Sequence, residues 1–261
     1  MAGVVVVAGP DDVADEAARM FVAVAAEAIA GRGVAHIALT GGSTVPGLYR
    51  RLLTPEYGDA IDWSRVELWW GDDRIVPEGD HASHAYASRD TLLRPGSAAT
   101  AALVHPFPIE LANMGDAAAA DAAEHYAALL RERVPAGPDG LPVFDLVLLG
   151  MGSDGHILSV FPGSPALAPG APLAMAIPAP THIEPNLPRL TINPRLVTAA
   201  RHVMIMCTGG AKASRVVEVL EGPLDVMRLP AQLARGDNAV WLLDEGAAAL
   251  LKRHPHPMGS D

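Results

Sequence analysis

The strongest constraint on this chain is a rhythm. Short, almost wholly apolar runs are each followed by a polar, glycine-containing loop and then by residues at helical spacing. Val4–Val7 passes through Gly9-Pro10-Asp11 into Asp12–Gly31, where Val13, Ala17, Met20, Phe21, Val24 and Ala28 recur at helical intervals. His36–Thr40 runs into Gly41-Gly42-Ser43-Thr44 and a short helix over Pro46–Leu53, with Pro46 suited to the first helical turn. Val66–Trp70 ends in Gly71-Asp72-Asp73-Arg74, and a helix is predicted over Ser83–Leu93. The alanine-rich stretch Asp116–Arg133 reads as a helix on propensity, stopped by the Pro and Gly residues of Pro135–Gly140. Phe144–Leu149 is a buried strand that leads into Gly150-Met151-Gly152-Ser153-Asp154-Gly155-His156. Phe161–Pro185 is broken by prolines and leaves room for a short strand at Leu173–Ile177. Leu190–Asn193, His202–Cys207 and Ala239–Leu243 complete the strands, with helices after Gly210 and near Gly246–Leu251.

Strands that are apolar throughout must be covered on both faces, and strands that alternate with helices pair in parallel. The chain therefore reads as α/β, three layers around a mostly parallel sheet. It forms one domain over residues 1–252, with residues 253–261 as a flexible tail. The tail's His254-Pro255-His256-Pro257 reads as frayed rather than metal-binding. In such sheets ligands bind where loops gather at the carboxyl ends of strands. The polar-glycine segments after Thr40, Trp70, Leu149 and at Thr208 thereby become one candidate site.

Composition removes several classes of function. The longest apolar stretches fall far short of the roughly 18 residues that span a bilayer, so no membrane partner is expected. Met1–Pro10 lacks the pattern of an export signal. The single cysteine, Cys207, excludes an internal disulfide framework and points to a reducing, cytoplasmic setting; in its apolar run it reads as a buried small hydrophobe. With 19 Lys and Arg against 30 Asp and Glu, the net charge of -11 disfavours nucleic acid and anionic membranes as partners. Anion binding would fall to glycine loops and a few placed cations. Oligomeric state is left open between a monomer and a small homo-oligomer.

Within the loops, Gly41-Gly42-Ser43-Thr44 either cradles a phosphate or carboxylate with backbone N–H groups and two hydroxyls, or is a structural turn. It matches neither the Walker pattern nor the three-glycine dinucleotide fingerprint. The loop Gly150–His156 sets a carboxylate, Asp154, two residues from an imidazole, His156, among glycines that permit a tight backbone. His156 can take a proton from water and return it to a leaving oxygen, while Asp154 either orients it or caps a turn. No compact cluster of His, Cys and carboxylates calls for a metal, and no Gly-x-Ser-x-Gly elbow appears. Asp72-Asp73-Arg74 either caps a strand at the surface or offers Arg74 to a phosphate; Arg189 and Lys212 are similar cases. Trp69, Trp70 and Phe161 read as core or pocket wall. His81 and His84, either side of Ser83, read as capping or surface residues near the rim.

Taken in order, Gly41–Pro46, Trp69–Pro77, Gly150–His156 with Phe161-Pro162-Gly163, Arg189-Leu190-Thr191 and Thr208–Lys212 resemble the blocks of the 6-phosphogluconolactonase family. The resemblance spans Thr40 to at least Lys212. It implies a modified Rossmann-like fold shared with glucosamine-6-phosphate deaminases, ribose-5-phosphate isomerases and CoA transferases. Some positions depart from the family pattern: Asp73 stands where glutamate is usual, His84 where asparagine is usual, Val45 lengthens the glycine-Ser-Thr-Pro turn, and Ser153 and Ile157 look like the deaminase version. The deaminase blocks Asp-Glu-Tyr and Asn-Glu-Pro are replaced here by Asp72-Asp73-Arg74 and Ser159-Val160-Phe161-Pro162, which favours the lactonase.

The resemblance implies hydrolysis of 6-phosphogluconolactone to 6-phosphogluconate, the second step of the oxidative pentose phosphate pathway, with no cofactor and no metal. His156 would be the general base and Asp154 its support. Arg74 and the Gly152 loop would stabilise the carbonyl oxygen. Gly41, Gly42, Ser43, Thr44, Asp72, Asp73, Arg189 and Lys212 would hold the substrate. The alternatives are an amino-sugar phosphate deaminase and isomerase, which would release ammonia, and a sugar-phosphate-binding protein without turnover.

Overall fold

The computed structural model describes residues 1–252; the predicted flexible tail, 253–261, lies outside the described residues. In chain order the first half comprises β1 (Gly3–Val7), α1 (Pro10–Arg32), β2 (Ala35–Leu39), α2 (Val45–Leu52), α3 (Pro55–Gly58), β3 (Val66–Trp70), β4 (Asp72–Arg74), α4 (His84–Arg89), β5 (Leu103–His105), α5 (Ile109–Ala112) and α6 (Asp116–Arg133). The second half comprises β6 (Leu146–Gly150), β7 (Ala174–Ile177), β8 (Arg189–Ile192), α7 (Arg195–Ala199), β9 (His202–Cys207), α8 (Ala213–Leu220), β10 (Ala239–Asp244) and α9 (Glu245–Ala248).

The main sheet has seven strands in the order β1-β10-β9-β6-β2-β3-β5, and every neighbouring pair is parallel. Its inner strands β2 and β3 are buried at every residue, whereas the edge strands β1 and β5 are mostly half-buried or exposed. That gradient explains why the inner strands carry no polar-out alternation. The long helix α1 buries Val13, Ala17, Phe21, Val24 and Ala28 along one stripe, as its spacing predicts, and Met20 is half-buried at its margin. Trp69, Trp70, Trp241, Tyr126, Phe21, Phe107 and Phe144 are fully buried in one contiguous apolar core, each such side chain contributing about 1.5–3 kcal/mol.

Strand order also fixes where a ligand can enter. From β2 the chain moves to β3 on one side, while from β6 it moves to β9 on the other, so the order reverses between the adjacent strands β2 and β6. Loops leaving two such strands diverge and open a crevice at their carboxyl ends. The loops concerned are Gly41–Thr44 and Met151–His156.

A second, antiparallel sheet of three strands, β4-β8-β7, is not foreshadowed as a unit by the sequence pattern. Asp72-Asp73-Arg74 has no apolar pattern, and it becomes a strand only because β8 arrives from more than a hundred residues later to pair with it. Gly71 joins the two sheets, donating from its N–H to Leu39 O at 2.9 Å and accepting from the Ile192 N–H at 2.9 Å. The helix predicted over Ser83–Leu93 is shorter, His84–Arg89, because the chain turns ahead of Pro95-Gly96; Ser83 is its N-cap and accepts from the Tyr86 N–H at 3.1 Å.

Candidate active site

A cavity of about 350 Å³ lies in the crevice, lined by Thr40–Val45, Asp72, Arg74, His84, Gly150–Ser153, His156, Leu158, Ile183, Glu184, Arg189, Met206–Thr208 and Lys212. That is the small end of the range for small-molecule pockets, ~300–1,000 Å³, and suits one sugar phosphate. All four polar-glycine segments singled out in the sequence contribute to its wall.

His156 is held by its own loop. Its Nδ1 lies 2.6 Å from Asp154 Oδ1, its backbone N–H donates to the same oxygen at 3.1 Å, and its carbonyl accepts from the Gly152 N–H at 2.9 Å. Gly152 is required here, because a Cβ at this position would overlap the His156 ring and the Asp154 carboxylate. Burial opposes a charge on Asp154. The hydrogen bond and charge of His156, a hydrogen bond from His182 and the His156 N–H outweigh it, and the carboxyl is held well below the usual carboxylate range. An ionised Asp154 fixes the proton of His156 on Nδ1 and leaves the Nε2 lone pair toward the cavity.

The small sheet supplies the arginines. β4 and β8 are registered so that Arg74 faces Arg189 and Asp72 faces Thr191. Arg189 is 4% exposed, with Nη1 donating to Leu187 O at 3.1 Å, Nη2 to Pro185 O at 2.9 Å and its guanidinium 5.0 Å from the Phe161 ring centre. Burial, followed by the neighbouring Arg74 charge, lowers its pKa from the ordinary value. Arg74 donates from Nη1 to Ala82 O at 2.8 Å, while its Nε is buried without a partner among the described residues. Asp72 accepts from the Ser159 hydroxyl at 2.6 Å. Burial opposes its charge, but His84, Ser159 and Arg74 together hold the carboxyl well below the usual range.

Asp73 is not brought to the cavity. It is fully buried and points the other way, accepting from Ser83 Oγ at 2.9 Å and from the backbone N–H groups of Arg74, His84 and Ala85 at 2.8, 2.6 and 3.0 Å. Alternation along β4 sends neighbouring side chains to opposite faces, so Asp72 and Asp73 cannot both line the site. Asp73 anchors the start of α4 instead, a correction to its reading as a substrate contact.

On the opposite wall, Gly42 and Ser43 are exposed, and Thr44 Oγ1 lies 3.4 Å from Thr208 Oγ1. No side chain caps α2; its second residue, Pro46, has no N–H, and the Gly47 N–H donates to Thr44 O at 3.3 Å. Lys212 reaches across from the segment after β9, donating from Nζ to Met151 O at 3.0 Å. Cys207 is buried, as its apolar run suggests, and also touches the cavity; burial pushes its thiol up to about 11, which keeps it protonated. Among the described residues no group of three or more His, Cys, Asp or Glu could hold a metal ion, and no helix is long and apolar enough to cross a membrane.

The family model for glucosamine-6-phosphate isomerases and 6-phosphogluconolactonase matches residues 8–242. The chain belongs to this family. It is 34% identical over 250 residues to the 6-phosphogluconolactonase of Streptomyces coelicolor, covering 95% of this chain and 94% of that one. The structure of 6-phosphogluconolactonase from Trypanosoma brucei superposes with a TM-score of 0.83 at 29% identity, over 96% of this chain and 99% of that one. A monomeric glucosamine-6-phosphate deaminase superposes with a TM-score of 0.74 at 18% identity over 95% of this chain and 99% of that one, which shows the shared fold.

Two histidines at this site are not marked for it by the sequence. His84, read as a capping or surface residue, is 8% exposed and lines the cavity; its neighbour Ser83 does the capping. His182, from the proline-rich segment, donates from Nε2 to Asp154 Oδ2 at 2.9 Å. Phe161 is a hub, its ring centre 4.7 Å from His156 and 5.8 Å from His182, with Arg189 over its face. The proline-rich segment thus packs against the site through Ile183 and Glu184, a placement that irregular sequence does not announce.

Proposed function

We propose that this chain is a 6-phosphogluconolactonase, hydrolysing 6-phospho-D-glucono-1,5-lactone to 6-phosphogluconate. The observation that carries the reading is His156 with its proton committed to Asp154 and its Nε2 open on a cavity ringed by Arg74, Arg189, Lys212 and the Gly41–Thr44 loop. Family membership and the activity of the relatives point the same way.

In this reading Nε2 of His156 takes a proton from water as the water oxygen attacks C1 of the lactone. Negative charge grows on the carbonyl oxygen, where Arg74 and backbone N–H groups of the Gly152 loop would stabilise it. The C1–O5 bond then breaks, and the imidazolium returns its proton to the ring oxygen. Asp154 balances the transient positive charge and holds the tautomer. No covalent intermediate and no cofactor enter the scheme.

Phosphate binding falls to Gly41, Gly42, Ser43, Thr44 and Lys212, with Arg189 behind them. Lys212 is half-buried and keeps two ammonium protons after its bond to Met151 O, whereas Arg189 is almost fully buried and braced by two carbonyls and the Phe161 ring. Lys212 is therefore assigned the direct phosphate contact and Arg189 a positioning part. A deaminase reading lacks the Asp-Glu-Tyr and Asn-Glu-Pro blocks.

The test is a pH-controlled assay with the phosphorylated lactone generated in situ and the spontaneous rate subtracted. Lactone opening well above that rate is expected, with no ammonia from glucosamine 6-phosphate. Binding of 6-phosphogluconate without any acceleration of lactone opening would overturn the assignment in favour of a sensor.

A further inference from the structure

We propose that His84 is a substrate-binding residue of this cavity, its Nε2 donating to an oxygen of the phosphorylated ligand as an imidazolium balanced by Asp72. The inference rests on reading the cavity as a sugar-phosphate site. It begins with the ring's two nitrogens. Nδ1 faces only acceptors, the Asp72 carbonyl at 3.1 Å and Asp72 Oδ1 at 3.5 Å, so it carries a proton. Nε2 is buried and has no hydrogen-bond partner among the described residues. A buried polar atom without a partner is costly, and here it belongs to a side chain that lines the cavity.

The ring is also fixed in place. Its backbone N–H donates to Asp73 Oδ1 at 2.6 Å, and the imidazole packs against Gly41, where a Cβ would overlap it. Gly41 opens the loop assigned to the phosphate, so Nε2 sits at the margin between that loop and Asp72.

Charge explains why an imidazole suits this position. Asp72 is ionised, lines the same cavity and would repel an anion. Among the described residues, the charged or titratable groups that share the cavity with His84 are Asp72 and Arg74 on β4, Arg189 on β8, His156, Glu184, Cys207 and Lys212, while Asp73 accepts from its backbone N–H; the Gly41–Thr44 loop contributes none. A proton on His84 neutralises Asp72 locally and turns a repulsive wall into a donor. The arrangement parallels His156–Asp154 but reverses its use, because His156 must stay free to accept a proton whereas His84 must hold one while ligand is bound.

The experiment measures KM and kcat for the lactone and Kd for 6-phosphogluconate from about pH 6 to 8.5 in the wild-type protein and two variants. His84→Asn keeps a donor toward Asp72 but places nothing at Nε2; His84→Gln puts an amide nitrogen there without a titratable charge. For His84→Asn, KM and Kd are expected to rise about 10- to 100-fold near pH 6, with kcat within about threefold. His84→Gln should recover most of the affinity near pH 8 but lack the wild-type gain on acidification. Wild-type affinity in His84→Asn, or a loss confined to kcat, would overturn the proposal while leaving the lactonase assignment standing. A wild-type protein that neither opens the lactone nor binds 6-phosphogluconate would overturn both.

Discussion

His156 and His84, beside the carboxyl ends of β6 and β4, each commit Nδ1 to an aspartate and keep Nε2 at a cavity, whereas His36 and His105 lie within the packed layer against Glu67. In that second cluster Glu67 Oε1 accepts from Arg133 at 2.6 Å, Oε2 lies 2.9 Å from His105 Nε2 and 3.7 Å from His36 Nδ1, and the His105 ring stacks on Trp69 at 4.0 Å. Burial opposes the charge of Glu67, but Arg133, His105 and His36 outweigh it and lower its pKa. Burial also lowers both histidines below their ordinary value of 6.5, so at neutral pH they are uncharged. The same residue types thus serve two ends. In the second cluster the carboxylate closes the fold and even the unpartnered Nδ1 of His36 faces packed protein; at the cavity the unspent imidazole nitrogens belong to side chains that a ligand can reach.

The contrast is sharpest if one residue from each cluster is removed. His156→Ala should lower kcat by about 10²- to 10⁴-fold, the usual worth of a general base, with the urea midpoint unchanged. Near-wild-type turnover in that variant would remove His156 from the proposed mechanism. Glu67→Ala should do the reverse, holding kcat/KM while reducing stability by about 2 kcal/mol, less than the ~3–5 kcal/mol of a fully buried broken pair because Arg133 is partly exposed. Loss of activity in Glu67→Ala without loss of stability would break the division between the clusters.

The division also has a pH signature. His36 and His105 have lowered pKa values in the folded state, so below about pH 6.5 the unfolded chain binds more protons than the native one and stability falls. Glu67 adds to the loss in the same direction below about pH 4.5, where an unfolded glutamate gains its proton and the folded one does not. Unfolding free energy should therefore decline steadily from pH 7 to 4. Replacing His36 and His105 together with Gln should flatten the part between 6.5 and 5, and an unchanged curve would show that other groups set it.

What the sequence made legible follows the same physics. Strands buried on both faces announce themselves by uninterrupted apolar runs, so β3, β9 and the core of β2 were visible directly, as was α6 from its alanines. The four loops at the cavity were visible because glycine and polar residues interrupt those runs. The small sheet was not, since Asp72-Asp73-Arg74 becomes a strand through pairing with Arg189–Thr191 rather than through any local preference. That pairing decides which of two adjacent aspartates faces the cavity. His84 was hidden for a related reason: position beside Ser83 suggests a cap, and only the approach of Gly41 shows where the ring lies. Neither long-range contact has a periodicity to read.

His182 supplies the smallest and most discriminating test. Asp154 accepts from three donors, His156 Nδ1, the His156 N–H and His182 Nε2, and the last is the most exposed, its side chain 48% accessible. Water can replace an exposed donor, so His182→Ala should change kcat by only about two- to fivefold, within the ~0.5–1.5 kcal/mol of an ordinary hydrogen bond. The direction is more telling than the size. With one donor fewer, the Asp154 charge is less shared and grips the proton of the His156 imidazolium more firmly, so the acid limb of the kcat–pH profile should move to higher pH while KM stays put. A fall in kcat with no movement of that limb would mean that His182 only braces the proline-rich segment. A shifted limb would show that the cavity cluster, unlike the one around Glu67, is tuned by a residue at the surface.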